Sequence, residues 1–231
     1  MKLVLDISAD QGPDLNVEAM LTAGVDAVYL EATRGNDGPN QCFHRQLAAL
    51  RRAGIPCGAY LFCYPLNDAP GHVNRDPRGQ ALLFYNDSGG LGSEPGELPP
   101  MLDAEWPYPQ DWTTWTVTRA SIAAWLDACA QDVDGLFQRP AGIYTDVGGF
   151  WQPLGGAVIN PAFGGRKLWM AQYRDVLTHT TLTTADPPPP PPPWTDLTLW
   201  QWTDKFEIDG RLYDASVFPG DDVAWSAFLN R

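Results

Sequence analysis

The feature that most constrains this chain is a strand, loop and helix unit that recurs three times in its first third. Lys2 to Ile7 reads as a strand, followed by the loop Ser8 to Pro13 and a short helix that Asn16 caps and Gly24 ends. Asp26 to Ala32 reads as a second strand, and Thr33 to Pro39 as a polar loop. Asn40 then caps a helix in which Phe43, Leu47 and Leu50 recur at helical spacing, closed by Gly54. Pro56 to Tyr64 makes a third strand. Such alternation implies parallel strands joined by crossover helices.

Pro70 to Arg78 reads as a long loop, Gly79 to Phe84 as a short helix and Asn86 to Gly96 as a Gly-rich turn. A fourth strand then leads to Asp103 and Glu105. Thr113 to Phe137 is the longest helix, with Ile122, Trp125, Leu126 and Cys129 on one face. Pro140 to Thr145 is a fifth strand, and Asp146 to Leu154 a helical turn. Afterwards the rhythm fails. Lys167 to Tyr173, Leu197 to Thr203 and Arg211 to Phe218 read as strands without full helices between them, and Asp221 to Leu229 is a closing helix. The pattern predicts an α/β chain: a modified TIM-like β/α barrel, with about five βα units followed by strands lacking full helices. At 231 residues and 44% hydrophobic, the chain suits one such domain over 1–231. The seven prolines Pro187 to Pro193 predict a stiff surface loop between two strands, a polyproline II rod of roughly 20 Å at about 3.1 Å per residue, rather than a docking peptide.

A net charge of −13 argues against a nucleic-acid surface, since nothing supplies the Lys/Arg stripe that phosphates demand, and offers no attraction to anionic membranes or walls. Cys42, Cys57, Cys63 and Cys129 fall in apolar patterns without metal-ligand spacing and read as buried thiols. Met1-Lys2 leads directly into the first strand, and no apolar run approaches a membrane span. The expectation is a protein made in the cytoplasm without a signal peptide.

Chemistry concentrates in Leu98 to Trp106, a short buried strand entered through two prolines and ending in Asp103 and Glu105. Residues i and i+2 share a strand face, so both carboxylates point the same way with α-carbons roughly 6.5–7 Å apart. Like charges this close do not ionise independently, and one keeps its proton to a higher pH. A proton donor beside an anion is what glycosidic cleavage requires. Asp6 ends the first strand and Asp214 lies within the eighth, the first strand's neighbour in a closed barrel. Four acids thus face one mouth, where α/β barrels carry their sites. Solvated strand ends, a divalent cation site and acid/base chemistry on a sugar all remain open for such a cluster. Ten Trp, and rings such as Tyr60, Tyr64, Trp106, Tyr144, Trp151, Trp169, Tyr173, Trp200 and Trp202 at or beside strand ends, favour the sugar.

In their order and spacing, Leu5-Asp6-Ile7-Ser8 with Gln11-Gly12, Tyr29 to Gly35, Ala53 to Tyr60, Leu98 to Glu105, Ile143 to Thr145, Leu168 to Tyr173, Leu199 to Thr203 and Tyr213 to Phe218 resemble the family 25 glycoside hydrolases. These are the N-acetylmuramidase lysozymes of phage endolysins and bacterial wall hydrolases. The resemblance implies cleavage of the β-1,4 bond between N-acetylmuramic acid and N-acetylglucosamine in peptidoglycan. It makes Glu105 the general acid and gives Asp103 the substrate's acetamido group or the water. Asp6 and Asp214 shape binding and the field around Glu105. Tyr60, Tyr144, Tyr173 and Gln201 match positions lining the sugar cleft, with Trp106 and Trp169 added as ring contacts. Two positions depart from the family. Its usual Lys and Glu in the second-strand motif stand here as Glu31 and Arg34, a reversed pair, and its His after the third-strand Tyr is Leu61.

The resulting expectation is a monomeric enzyme that uses no metal and no cofactor. Its partner is bacterial peptidoglycan, reached by lysis-linked release or from a virion. The competing readings are a wall-binding or virion structural module that keeps the barrel without turnover, and a carboxylate-bound metal hydrolase.

Overall fold

The computed structural model describes residues 1–35, 38–65, 76–105, 118–156, 161–174, 181–182 and 186–230. Eight strands close a barrel in sequence order: β1 Lys2–Ile7, β2 Val25–Arg34, β3 Cys57–Phe62, β4 Met101–Asp103, β5 Gly142–Asp146, β6 Leu168–Ala171, β7 Leu199–Ile208 and β8 Arg211–Phe218. The helices α1 Val17–Thr22, α2 Phe43–Arg52, α3 Pro77–Ser88 and α4 Arg119–Phe137 follow β1 to β4 in turn. After β5 comes a π-helical turn, Val147–Trp151, running into the three-residue α5 Gln152–Leu154. The expected barrel with a helix-poor last third is therefore present.

Strand direction adds what the alternation did not reveal. β1 to β7 run parallel to one another, whereas β8 is antiparallel to both β7 and β1. A two-residue turn forces the reversal: Asp209 and Gly210 have φ of 53° and 74°, the positive values a type I′ hairpin needs. β7 accordingly runs on to Ile208, beyond the Thr203 at which its apolar pattern stops.

Both ends of α3 and the start of α2 differ from expectation. Pro77 and Arg78 read as loop, yet α3 starts with them: the Asp76 side chain accepts from the Gly79 N–H at 3.1 Å, and Pro77 occupies the first turn. The same helix runs to Ser88, through the first residues of the segment read as a turn, and stops at Gly89 in the left-handed region. α4 begins at Arg119 behind a Thr118–Ser121 capping box; the earlier start at Thr113 falls outside the described residues. Asn40 lies upstream of α2 rather than at its cap. Its Oδ1 accepts from the Cys42 N–H and its Nδ2 donates to the Glu31 carbonyl, both at 2.9 Å, tying the helix entry to β2.

Side-chain alternation divides the core in two. Leu3, Leu5, Ile7, Leu30, Leu61 and Leu102 pack outward under the helices. Val4, Tyr29, Tyr60, Met101, Tyr144 and Trp169 fill the barrel. At one end, α6 Asp222–Leu229 contributes Trp225 and Phe228, which pack on Phe218 of β8 with ring centroids 5.2 and 5.4 Å away. The four cysteines are buried and free. The proline run joins β6 to β7 and is packed against the barrel at particular points. Pro188 is buried, the Trp151 indole donates to the Pro192 carbonyl at 2.8 Å, and the Trp151 and Trp194 rings lie 4.5 Å apart.

Candidate active site

The site is the top layer of the barrel's filling. Val4 and Met101 point inward, so their i+2 neighbours Asp6 and Asp103 do too. On β8 the inward set begins with Asp214, which stands directly opposite Asp6 across the β1/β8 pairing. Glu105 lies two residues past the end of β4, yet its approach is still tied to β5. The Ala104 N–H donates to the Tyr144 carbonyl, and its carbonyl accepts from the Thr145 hydroxyl, both at 2.9 Å. Asp6, Asp103, Glu105 and Asp214 all line one cavity of about 310 Å³.

These acids titrate abnormally for physical reasons that differ within the group. Burial, then the Asp214 charge, pushes Asp6 well above the usual carboxylate range. Burial pushes Asp214 up to about 6, while a hydrogen bond from Asp6 pulls it down. Asp6 therefore keeps the proton and donates it to the Asp214 carboxylate. Behind them, the Gln201 amide donates to Asp6 Oδ2 at 3.0 Å, and the Tyr144 hydroxyl donates to Gln201 Oε1 at 2.8 Å. Asp103 is raised by burial first and by Glu105 next, and its Oδ1 has no hydrogen-bond partner among the described residues. Glu105 is pushed up to about 7, mostly by burial, then by the charges of Asp146 and Asp214, with Arg34 opposing. Among the described residues, no group of three or more His, Cys, Asp or Glu is arranged to hold a metal ion.

The aromatic residues divide. Tyr60, Tyr144 and Trp169 reach the cavity, but Trp169 is only 2% exposed and packs edge-on against Tyr144 at 5.0 Å, so it forms the floor. A second cavity of about 240 Å³ adjoins at Glu105 and Tyr144 and is lined by Asp146, Gln172 and Tyr173. There Tyr173 is 47% exposed and presents an open ring. Gln201 is 1% exposed and sits behind Asp6 as its support. Trp151, Trp200 and Trp202 belong to the outer core, and Trp106 lies outside the described residues.

Sequence reasoning missed Asp146. It ends β5 as Asp6 nearly ends β1, and that position at a barrel strand's C-terminus was the available signal. The reversed second-strand pair does meet: Arg34 Nη2 lies 2.9 Å from Glu31 Oε2, and both side chains line the large cavity.

The model of the glycosyl hydrolases family 25 matches residues 5–211, a span that holds Asp6, Asp103 and Glu105 and ends just before Asp214. The chain belongs to glycosyl hydrolase family 25. Solved structures carry the same fold. A muramidase from Acremonium alcalophilum superposes with a TM-score of 0.79 at 25% identity, covering 100% of this chain and 99% of that one. A bacterial lysozyme from Streptomyces coelicolor gives 0.79 at 22% identity, with 99% and 97% covered. The catalytic domain of endolysin ply40 from bacteriophage P40 of Listeria monocytogenes gives 0.66 at 19% identity, with 100% and 98% covered. No curated protein matches by sequence. As a member of family 25 the chain is a glycosidase, and its four converging acids lie in the barrel mouth where that chemistry is housed.

Proposed function

We propose that this glycosidase is a muramidase, hydrolysing the β-1,4 bond between N-acetylmuramic acid and N-acetylglucosamine in bacterial peptidoglycan, with Glu105 as its general acid. The observation that carries the reading is a cavity in which Asp6, Asp103, Glu105 and Asp214 converge and Glu105 holds its proton to about pH 7. An acid that stays protonated near neutrality beside an anion is suited to protonate the leaving glycosidic oxygen. The Asp214 carboxylate then stabilises the positive charge that grows at the sugar's anomeric carbon. Asp103, with one oxygen unbonded and the same inward direction, is the group that holds the substrate's acetamido N–H. Asp214, the anionic member of its pair, supplies field, and Asp6 fixes it in place. Tyr173 offers the stacking surface for a sugar ring, while Tyr60 and Tyr144 present hydroxyl-bearing edges. The enzyme acts as a monomer on the cell wall. Its carboxyl groups do the chemistry without a metal.

The test follows reducing ends released from purified peptidoglycan. Glu105→Gln keeps size and polarity but has no proton to give, and its turnover is expected to fall by about 10²–10⁴. Equal rates in the two proteins would remove Glu105 from this role. EDTA is expected to leave the rate unchanged.

A further inference from the structure

The large cavity has a lopsided charge pattern. Its titratable wall groups include the six acids Asp6, Asp10, Glu31, Asp103, Glu105 and Asp214, against a single cation among the described residues, Arg34. That cation is held in position. Its guanidinium bonds Glu31 at 2.9 Å, and its Cζ stands 4.9 Å from the centroid of the Phe62 ring. It is also open, with the side chain 46% exposed against 7% for Glu31. A guanidinium has five N–H donors in a planar fork. Only the bond to Glu31 is made, so the other donors have no protein partner among the described residues.

Nothing in the acid chemistry above uses a guanidinium, and a cavity built to gather positive charge repels any anion on its substrate. If the substrate is peptidoglycan, as proposed above, it brings such anions: every muramic acid bears a lactyl group that ends in a carboxylate or in a peptide stem carrying carboxylates. We propose that Arg34, anchored by Glu31 and Phe62, is a specificity-determining residue that receives a substrate carboxylate in the bidentate manner of arginine. The inference rests on the muramidase reading and adds to it a preference for anionic over neutral glycans. It also gives the reversed pair a purpose. Glu31 lies deep and fixes the guanidinium, and Arg34, three residues on, carries the positive charge to the mouth.

Binding of three synthetic ligands to the wild-type enzyme tests this, by calorimetry or by chemical-shift titration. The first is the disaccharide N-acetylglucosaminyl-β-1,4-N-acetylmuramic acid, which lacks the scissile linkage and carries the free lactyl carboxylate. The second is its lactyl amide. The third bears a stem dipeptide, which moves the carboxylate outward. The acid is expected to bind about tenfold more tightly than the amide. Tighter binding of the dipeptide ligand than of the amide would identify the stem as the source of the carboxylate. Arg34→Gln is expected to bind acid and amide alike, and Arg34→Lys to keep part of the preference, as a point charge without the fork. Amide binding by Arg34→Gln also reports that the variant is folded. If it does not bind the amide, the decision passes to Arg34→Lys, which must show a smaller preference than wild type. A wild-type protein that binds all three ligands equally, or an Arg34→Gln that keeps the tenfold preference, overturns the inference. If wild type also releases no reducing ends from peptidoglycan, the muramidase reading falls with it. If it releases them normally, only the role of Arg34 falls.

Discussion

Two pairs of acids reach the same cavity by different routes, and they are supported differently. Asp103 and Glu105 come from one strand end, two residues apart, and share a direction because of strand pleating. Asp6 and Asp214 come from opposite ends of the chain and meet only because β8 closes the barrel against β1. The first pair is lightly bonded: Asp103 Oδ1 has no partner among the described residues, and burial and neighbouring charges hold up the Glu105 proton. The second pair is bonded to itself, to Gln201 and through it to Tyr144. The difference fits the proposed roles: the acid proposed to give up a proton and meet substrate is left free, and the pair proposed to set the local potential is braced.

The sharpest way to break that division lies within the braced pair. Asp214 is the anion and Asp6 the proton donor, so their amide variants are not equivalent. Asp6→Asn still accepts from Gln201 through its oxygen and donates to Asp214 through its nitrogen, and is expected to keep turnover within about tenfold. Asp214→Asn removes the charge itself and is expected to lose about 10² in kcat, the scale of one preorganised electrostatic partner. Similar losses in the two variants would show that the proton is not held on Asp6.

The next effect concerns stability. The folded state raises the Glu105 pKa from 4.5 to about 7, so it binds a proton that the unfolded chain has already released. Stability therefore falls as pH rises through that window, and the cost is full above about 7. Glu105→Gln removes the cost. It is expected to match wild type near pH 4 and to exceed it by about 2 kcal/mol at pH 8 in urea unfolding, after discounting for the partial exposure of Glu105. A variant no more stable than wild type at pH 8 would mean that the native site does not hold this proton.

A smaller change tests the bracing. Tyr144→Phe deletes the hydroxyl that donates to Gln201 and leaves a buried amide oxygen unsatisfied. It is expected to cost about 1–3 kcal/mol of stability. Activity should fall less than in Asp214→Asn, because Gln201 still reaches Asp6. If activity fell further than in Asp214→Asn, the Tyr144 edge would matter more to sugar binding than to bracing Gln201.

The contrast between the pairs also decides what could be read without coordinates. Asp103 and Glu105 were legible from local pleating alone. Asp6 and Asp214 required the barrel to close, and that followed from counting eight strands. The antiparallel β8 was missed, although Asp209-Gly210 is a strong hairpin signal, because apolar periodicity stops at Thr203 while β7 continues through half-exposed residues. Apolarity also misjudged the rings. Trp200 and Trp202 have the composition of a sugar platform and the burial of a core, and sequence carries no information on which face is covered. Asp146 lay in plain view at a strand end, but it also caps the following turn through Gly148, and a capping role is enough to account for an aspartate there.

That double role makes Asp146 the most delicate probe of the free pair. After burial, its charge is the largest influence raising Glu105, and both line the smaller cavity. From the other elements around Glu105, Asp214 on β8 acts in the same sense and Arg34 on β2 in the opposite one. Asp146→Asn keeps an oxygen for the Gly148 N–H, which Asp146 Oδ1 accepts at 2.9 Å, so the π-helical turn survives while the charge is lost. The acid of the reaction must be protonated, so wild-type kcat is expected to decline through about pH 7. In Asp146→Asn that descending limb is expected to move to lower pH by less than one unit, with the plateau rate below it little changed. A limb that stayed in place would mean that Glu105 feels Asp146 through solvent. A shift to higher pH would mean that another group carries the descending limb, and the roles of the two pairs would then have to be exchanged.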